Sequence, residues 1–249
     1  MSESTGLGDL NLGYTSNDSY EAVSINRRRF LGAVAPSTMA ARPECGLVTL
    51  KQMHSALARR VGWADVADRA SLWGDGLMTD DPGVLLGIQT ADCLPVLVAD
   101  KRRRAVAAFH AGWRGTLKGI VQNGVRSMRC EFGSATTDLI AAIGPGIGSC
   151  CFAIGAEVRD LYAARFPYAA ELFTAREKLY LDLVEANRRQ LLEAGLAQEA
   201  IFSSNDCTSC QTDRFFSYRA EQGKTGRMMA VIGIASRRTS VPLGVNEVA

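Results

Sequence analysis

The 249-residue sequence predicts an α+β fold built on a mixed sheet, and three observations carry that expectation. Nearly continuous apolar runs of strand length alternate with amphipathic stretches of helix length. Two of the apolar runs are separated only by Lys101 to Arg104, and several others have no polar face at all. Continuous apolar strands belong to a sheet covered on both faces, and strands joined by a short turn are antiparallel, so the sheet is not purely parallel.

In chain order, Asp18 and Glu21 have the spacing of a capping box and open a surface helix through Asn26 and the RRRFL run, with Val23, Phe30 and Leu31 as its apolar positions. Strands are expected at 46–50 (GLVTL), 84–89 (VLLGIQ), 95–99 (PVLVA), 105–109 (AVAAF), 138–143 (DLIAAI) and 228–234 (MMAVIGI), and helices at 115–131, 155–166 and 181–194. If Lys101 to Arg104 is a hairpin turn, Asp100 faces Ala105, and counting back sets Pro95 opposite His110. Cys93 then lies two residues further, at the same end of the sheet.

Composition narrows the function. A chain that is 47% hydrophobic and 22% charged, without linker, repeat or low-complexity tract, reads as a single domain over 1–249. A net charge of +2 with interspersed signs offers no basic field for nucleic acid, and KRRR at 101–104 reads as a solvated turn. The N-terminal residues have neither a basic nor an apolar signal region, and no run approaches the roughly 18 apolar residues of a membrane span. The expectation is therefore a cytoplasmic protein that binds neither membrane nor nucleic acid. Its seven cysteines read as reduced thiols. Cys207 and Cys210 form a C-x-x-C pair, but the adjacent Cys150 and Cys151 do not match it in spacing, so the pair reads as packing residues near a site.

The chemistry concentrates in three short runs. The chain has only two histidines, His54 closing KQMH and His110 opening HAGWRG, and TADC places Cys93 between them. A lone buried His or Cys is usually a packed core residue. Here, however, both histidines fall in polar, glycine-bearing segments at strand ends, where loops present functional groups. Two imidazoles and one thiolate can hold zinc and leave its fourth position open, as a catalytic site requires. Paired strand residues sit about 5 Å apart and diagonal ones about 7–8 Å, so Cys93 and His110 can share an ion. His54 must arrive from the loop after the 46–50 strand.

The runs NLG at 11, KQMH at 51, DGLMT at 75, TADCLPVLVAD at 90, HAGWRG at 110, IGPGIGSCCFAIG at 143, DCTSC at 206, FFSYR at 215 and TGR at 225 cover nearly the whole chain in order. Together they resemble the YfiH-like laccase-domain family, long labelled multicopper polyphenol oxidoreductases and now associated with purine nucleoside phosphorylase activity. The resemblance implies an α-β-β-α sandwich with a mixed sheet, related to cysteine-dependent deamidase toxins, and His54, Cys93 and His110 as metal ligands. It implies phosphorolysis of adenosine, inosine and methylthioadenosine, hydrolytic deamination of adenosine, and, as the older assignment, copper-dependent polyphenol oxidation. Zinc is the expected cofactor and copper the alternative. The departure is at the start: family members usually carry additional strands before NLG and here almost nothing precedes it, which bears on the sheet's edge more than on the site.

Chemistry discriminates among these activities. A multicopper oxidase needs a blue-copper site and a trinuclear cluster rich in imidazole, which two histidines cannot furnish. Deamination needs a water activated by zinc and a proton shuttle, for which Asp92 and Asp75 are the carboxylates at hand, although Asp in a turn is as often a cap. Phosphorolysis needs a phosphate clamp. Arg114, four residues after His110, has the planar fork for it, and Lys51, Gln52, Asp75 and Arg219 are further substrate-binding candidates. Gly112 and Gly115 permit a tight turn before a helix near Thr116 whose N–H groups can receive an anion, and GPGIG at 144–148 lines the site or does the same. Trp113, Phe216 and Tyr218 can stack a purine, whereas Phe215 reads as core. Two other classes stand beside this one. Cys93, activated by His110, can be the nucleophile of an amide hydrolase editing a peptidoglycan-precursor amino acid. Alternatively, the fold is a metal-stabilised binding module without turnover.

Overall fold

The computed structural model describes residues 10–15, 18–34, 46–67 and 72–235. Cys45 and the chain beyond 235 lie outside the described residues. The first helix, α1 (Tyr20–Val34), starts one residue later than the capping box implies. Its cap is Ser19, whose Oγ accepts the Ala22 N–H at 3.1 Å, while the Asp18 carboxylate accepts from the Ser19 N–H. Val23 is fully buried, and Leu31 packs with Leu47 against Leu85.

The apolar runs divide between two main sheets rather than one. Strands β1 (Gly46–Thr49), β4 (Val84–Thr90) and β12 (Met228–Gly233) form a three-stranded sheet, with β1 parallel and β12 antiparallel to the central β4. Six strands form the other: β2 (Ala58–Arg60), β3 (Gly76–Thr79), β5 (Leu94–Asp100), β6 (Ala105–Ala111), β7 (Leu139–Ile143) and β11 (Ile201–Ser203), in the order β11-β7-β5-β6-β3-β2. A further small sheet joins β8 (Ala153–Ile154), β9 (Phe173–Ala175) and β10 (Leu179–Leu181). The short strands β2, β3, β8, β9, β10 and β11, two to four residues each, are not among the expected ones; runs this short carry little periodicity.

Strand β6 explains why the runs are apolar throughout. Every one of its seven residues is buried, and side chains alternate between faces. Val106 and Ala108 pack with Leu77, Leu86 and Ile88 between the two sheets, whereas Ala105, Ala107, Phe109 and Ala111 pack on the opposite face, against helices. His110 shares the parity of Val106 and Ala108. The hairpin has the register read from sequence, with Asp100 opposite Ala105 and Pro95 opposite His110. Its turn is tied by Asp100 Oδ1, which accepts the N–H groups of both Arg102 and Arg103 at 2.8 Å.

The helical layer also differs from expectation at one point. The continuous helix over 115–131 is two helices, α3 (Trp113–Leu117) and α4 (Ile120–Phe132), separated by Gly119 at φ 77°. That left-handed conformation favours glycine, and a break costs little there because the Thr116 carbonyl and hydroxyl are held by Gln190 and Asn187. Both come from α6 (Leu183–Glu193), which is capped by Asp182. Helix α5 (Ala156–Arg165) lies where it was expected, and one short helix, α2 (Trp63–Ala67), was not foreseen. Among the described residues no helix is long and apolar enough to cross a membrane.

Candidate metal centre and substrate cleft

Two buried aspartates build the centre. Asp75, fully buried at the start of β3, accepts hydrogen bonds from the backbone N–H groups of Met53, His54 and Ser55, from Ser55 Oγ at 2.6 Å, and from His110 Nδ1 at 2.8 Å. One carboxylate therefore folds the loop carrying His54 around itself and fixes the ring of His110. Asp92 does the equivalent for Cys93. Its Oδ1 accepts from Thr208 Oγ1 and Ser217 Oγ at 2.7 Å, and its Oδ2 from the Arg219 N–H at 2.6 Å. His54 (φ 58°) and Asp92 (φ 85°) both hold left-handed backbone conformations, each costing about 1–3 kcal/mol for a non-glycine residue. Surrounding hydrogen bonds offset that strain where the ligands are presented.

The three side chains converge. Cys93 Sγ lies 3.9 Å from His54 Nε2, and the nearest ligand atoms of His54, Cys93 and His110 all fall within 4.8 Å of one another. A tetrahedral zinc with S and N ligands sets them about 3.3–3.8 Å apart, so small side-chain adjustments close the set. The space for an ion depends on Gly112: a Cβ there would stand 2.6 Å from Cys93 Sγ and 3.0 Å from His54 Cδ2. With Nδ1 of His110 tied to Asp75, Nε2 is the atom left to a metal, the carboxylate–histidine arrangement that orients a ligand. The residues present fit a divalent ion.

Electrostatics agree. Burial pushes the Cys93 thiol up, but the His110 and His54 imidazoles beside it prevail and bring it from 9.0 to about 6. Burial pushes His110 down, yet the Cys93 thiolate and Asp75 raise it to about 9. Burial likewise pushes Asp75 up, and the hydrogen bonds from His110 and Ser55 hold it well below the carboxylate range instead. The centre is a thiolate beside a protonated imidazole, and a cation can take the proton's place.

These ligands open into a cleft of about 650 Å³. Arg114, Arg219, Lys51 and Gln52 all line it. Arg114 is exposed, with its guanidinium 4.1 Å above the Trp113 ring. Arg219 donates to the carbonyls of Cys151 and Ala153, Lys51 lies 4.1 Å over Trp73, and the Gln52 amide exchanges hydrogen bonds with the backbone of Gln89. Arg227 was missed although its TGR run was noted: it also lines the cleft, donating to the carbonyls of Thr225 and Gly226. Tyr14 was missed as well.

Several expectations need correction. Asp75 is fully buried, with both oxygens engaged, so it positions ligands rather than touching substrate. Asp92 borders the cleft, with its two oxygens accepting from Thr208, Ser217 and Arg219. Phe216 lines a separate hollow with Leu12 and Met228, whereas Tyr14, Trp113, Phe152 and Tyr218 line the cleft. The helix begins at Trp113 rather than near Thr116, and the buried Thr116 donates its own N–H to Gly112 O. The GPGIG segment borders the cleft through Ile147, whose N–H donates to Asp92 O, while Gly146 is pressed against Leu94. Finally, Cys150 and Cys151 do meet Cys207 and Cys210: the four sulfurs lie within 4.8 Å of one another. The sequence reading compared spacings along the chain, and the partners come from segments some 60 residues apart.

Comparison with known proteins gives one consistent relationship. Residues 2–235 match the family described as multi-copper polyphenol oxidoreductase laccase. Purine nucleoside phosphorylase YlmD of Geobacillus stearothermophilus is 37% identical over 241 residues, covering 93% of this chain and 86% of the relative. Purine nucleoside phosphorylase YfiH of Escherichia coli is 33% identical over 224 residues, covering 90% of this chain and 85% of the relative. The crystal structure of Bacillus licheniformis hypothetical protein YfiH superposes with a TM-score of 0.84 at 35% identity, covering 93% of this chain and 88% of that one. It shares the mixed α/β architecture with several mixed sheets. On a match that runs from residue 2 to residue 235, the chain belongs to the YfiH-like laccase-domain family.

Proposed function

We propose that the chain is a zinc-dependent purine nucleoside phosphorylase acting on adenosine, inosine and methylthioadenosine, within a single domain whose layers support the α-β-β-α sandwich reading. The observation that carries it is one cleft holding a His–Cys–His ligand set and three guanidinium groups, those of Arg114, Arg219 and Arg227. The relatives' names support an enzyme of this class. Its volume falls within the range of small-ligand sites, about 300–1,000 Å³.

In this reading His54, Cys93 and His110 hold the ion, which when bound supplies a Lewis acid that polarises a donor atom of the substrate. Arg114 clamps phosphate through its planar fork, and Arg219 and Arg227, whose side chains donate to backbone carbonyls and touch no carboxylate among the described residues, add positive charge. Phosphate oxygen bonds to the ribose C1′ as the C1′–N bond breaks, and the base leaves with the electron pair and takes a proton. Tyr14, Trp113 and Tyr218 offer faces to the purine. Adenosine deamination fits less well, because Asp75 and Asp92 are both engaged in positioning. Laccase chemistry fits least, since two histidines furnish no trinuclear copper cluster.

The test is metal content together with base release from inosine and adenosine, with and without phosphate. Release that requires phosphate, vanishes in Cys93→Ala and shows a raised KM for phosphate in Arg114→Ala is the expected result. Zinc without phosphate-dependent release overturns the assignment. The thiolate–imidazolium pair favours a second reading, in which Cys93 attacks an amide carbonyl. Iodoacetamide separates the two: a free nucleophile is alkylated in zinc-loaded protein, and a ligand is protected.

A further inference from the structure

We propose that Cys150, Cys151, Cys207 and Cys210 form a second metal site, a closed tetrathiolate that takes one zinc ion and latches the 206–227 loop onto the rest of the fold. Cys210 Sγ lies 3.4 Å from Cys150 Sγ and 3.3 Å from Cys151 Sγ, and Cys207 Sγ completes a group in which no two sulfurs are more than 4.8 Å apart. Tetrahedral zinc with four Zn–S bonds of about 2.3 Å sets its sulfurs about 3.8 Å apart, the middle of that spread. The arrangement is centred on a point rather than on a pair, since Cys210 is nearly equidistant from both vicinal cysteines. A disulfide joins one pair, whereas Cys210 stands equally close to two sulfurs and so marks out no single partner.

The surroundings are those of a thiolate site. The Gly148 N–H donates to Cys207 Sγ at 3.2 Å, the kind of backbone contact that stabilises a sulfur ligand. The backbone of the two segments is already in register: Gly146 bridges to Cys207, and the Thr208 N–H donates to Gly146 O. Arg219 donates to the carbonyls of Cys151 and Ala153, bringing positive charge to a site that four thiolates would make anionic. All four donors are soft sulfur, with no position open to water, so the ion is structural and binding releases thiol protons without any change of oxidation state.

A latch is useful here. Residues 206–227 contain no helix or strand, yet they carry Tyr218, Arg219 and Arg227 to the cleft and bring Thr208 and Ser217 to Asp92, next to Cys93. Long loops of this kind in a packed domain need a constraint of their own.

The Cys93→Ala variant removes a ligand of the first centre and isolates the second. Purified without chelator and with zinc supplied, it should retain about one zinc per chain, and X-ray absorption at the zinc edge should show only sulfur neighbours at about 2.3 Å. Cobalt in its place should give the intense thiolate charge-transfer bands of a four-sulfur site. Adding Cys207→Ser and Cys210→Ser should abolish that metal; if the triple variant fails to fold, the absorption spectrum of Cys93→Ala still decides. The proposal is overturned if Cys93→Ala holds no zinc, if nitrogen or oxygen dominates its metal shell, or if mass spectrometry of unreduced protein finds a disulfide among the four cysteines.

Discussion

The two sulfur-bearing clusters are built by opposite means. Cys93 and His110 sit at adjoining strand ends and His54 on the loop between β1 and β2, and each is aimed by a buried carboxylate, Asp75 or Asp92, acting on the ring or the backbone behind it. The four cysteines sit on two loops and are brought together by backbone pairing, with the Gly148 N–H donating to Cys207 Sγ. The first set has three donors of mixed type and opens into the cleft; the second has four identical donors, none of which lines that cleft. An open centre has to be oriented by something other than its ion, because the ion must exchange ligands during turnover. A closed one can let the ion do the orienting.

The sharpest way to break that contrast is at Asp75. Replacing it with Ala leaves the His110 imidazole, three backbone N–H groups and the Ser55 hydroxyl without their acceptor. We expect a loss of about 3–5 kcal/mol in urea unfolding, with the first centre emptied. Asp75→Asn keeps the shape and should fold, with zinc affinity at the first centre lowered about 10–100-fold and the four-sulfur site unchanged. The same carboxyl confers acid sensitivity. Because its pKa is depressed in the fold, its contribution is present above 3.8 and is lost as pH falls below that value. Wild type should therefore lose stability over that acid range by a component that Asp75→Asn lacks. A Tm for Asp75→Ala within a degree of wild type would mean that the loop around His54 is held by something else.

A smaller effect separates the two glycines that face the clusters. At Gly112 an added Cβ meets Cys93 Sγ at 2.6 Å, whereas at Gly148 it meets Cys150 Sγ and Cys207 Cβ at 3.2 Å. Gly112→Ala should cost about 1–3 kcal/mol and displace the first metal. Gly148→Ala should cost about 1 kcal/mol or less, because the neighbouring loop can give by a few tenths of an ångström. Calorimetry with metal analysis on both variants checks the ranking; equal losses would mean that the strand-end centre is no more rigid than the loop cluster.

The sequence disclosed one cluster and concealed the other for a physical reason. Pro95 opposite His110 follows from a hairpin with a four-residue turn, because strand register is a matter of counting, and Cys93 comes with it. His54 could be named but not placed, since its position depends on the Asp75 carboxylate gathering residues 53 to 55, which no periodicity announces. Asp75 itself read as a turn or substrate residue, and only its burial reveals a positioning role. Gly119 was read through as helix because one glycine in a helical run is tolerated, and the break depends on partners from α6. Cys150 and Cys151 find Cys207 and Cys210 only through the parallel approach of Gly146 to Cys207, a contact between distant segments. Arg227 was visible only as part of a motif.

The smallest effect tests the charge state that the strand-end centre adopts without its ion. In metal-free protein Cys93 should be thiolate with an apparent pKa of about 6, while the neighbouring sulfurs of Cys151, Cys150 and Cys207 leave Cys210 raised above 9.0. At pH 7 that makes Cys93 about 90 times richer in thiolate than a thiol of pKa 9.0, but a less basic thiolate is a weaker nucleophile. With a Brønsted coefficient of about 0.4–0.5, three pH units cost about 16- to 32-fold in intrinsic reactivity, leaving an advantage of only about 3- to 6-fold. Iodoacetamide rates followed residue by residue by mass spectrometry should thus show a modest difference at pH 7 but a clear one in shape. The Cys93 rate should plateau above about pH 7, and that of Cys210 should still be climbing at pH 9. A Cys93 profile that rises with Cys210 would mean that His110 does not take its proton, and that the pairing of carboxylate, imidazole and thiolate is assembled by the metal rather than waiting for it.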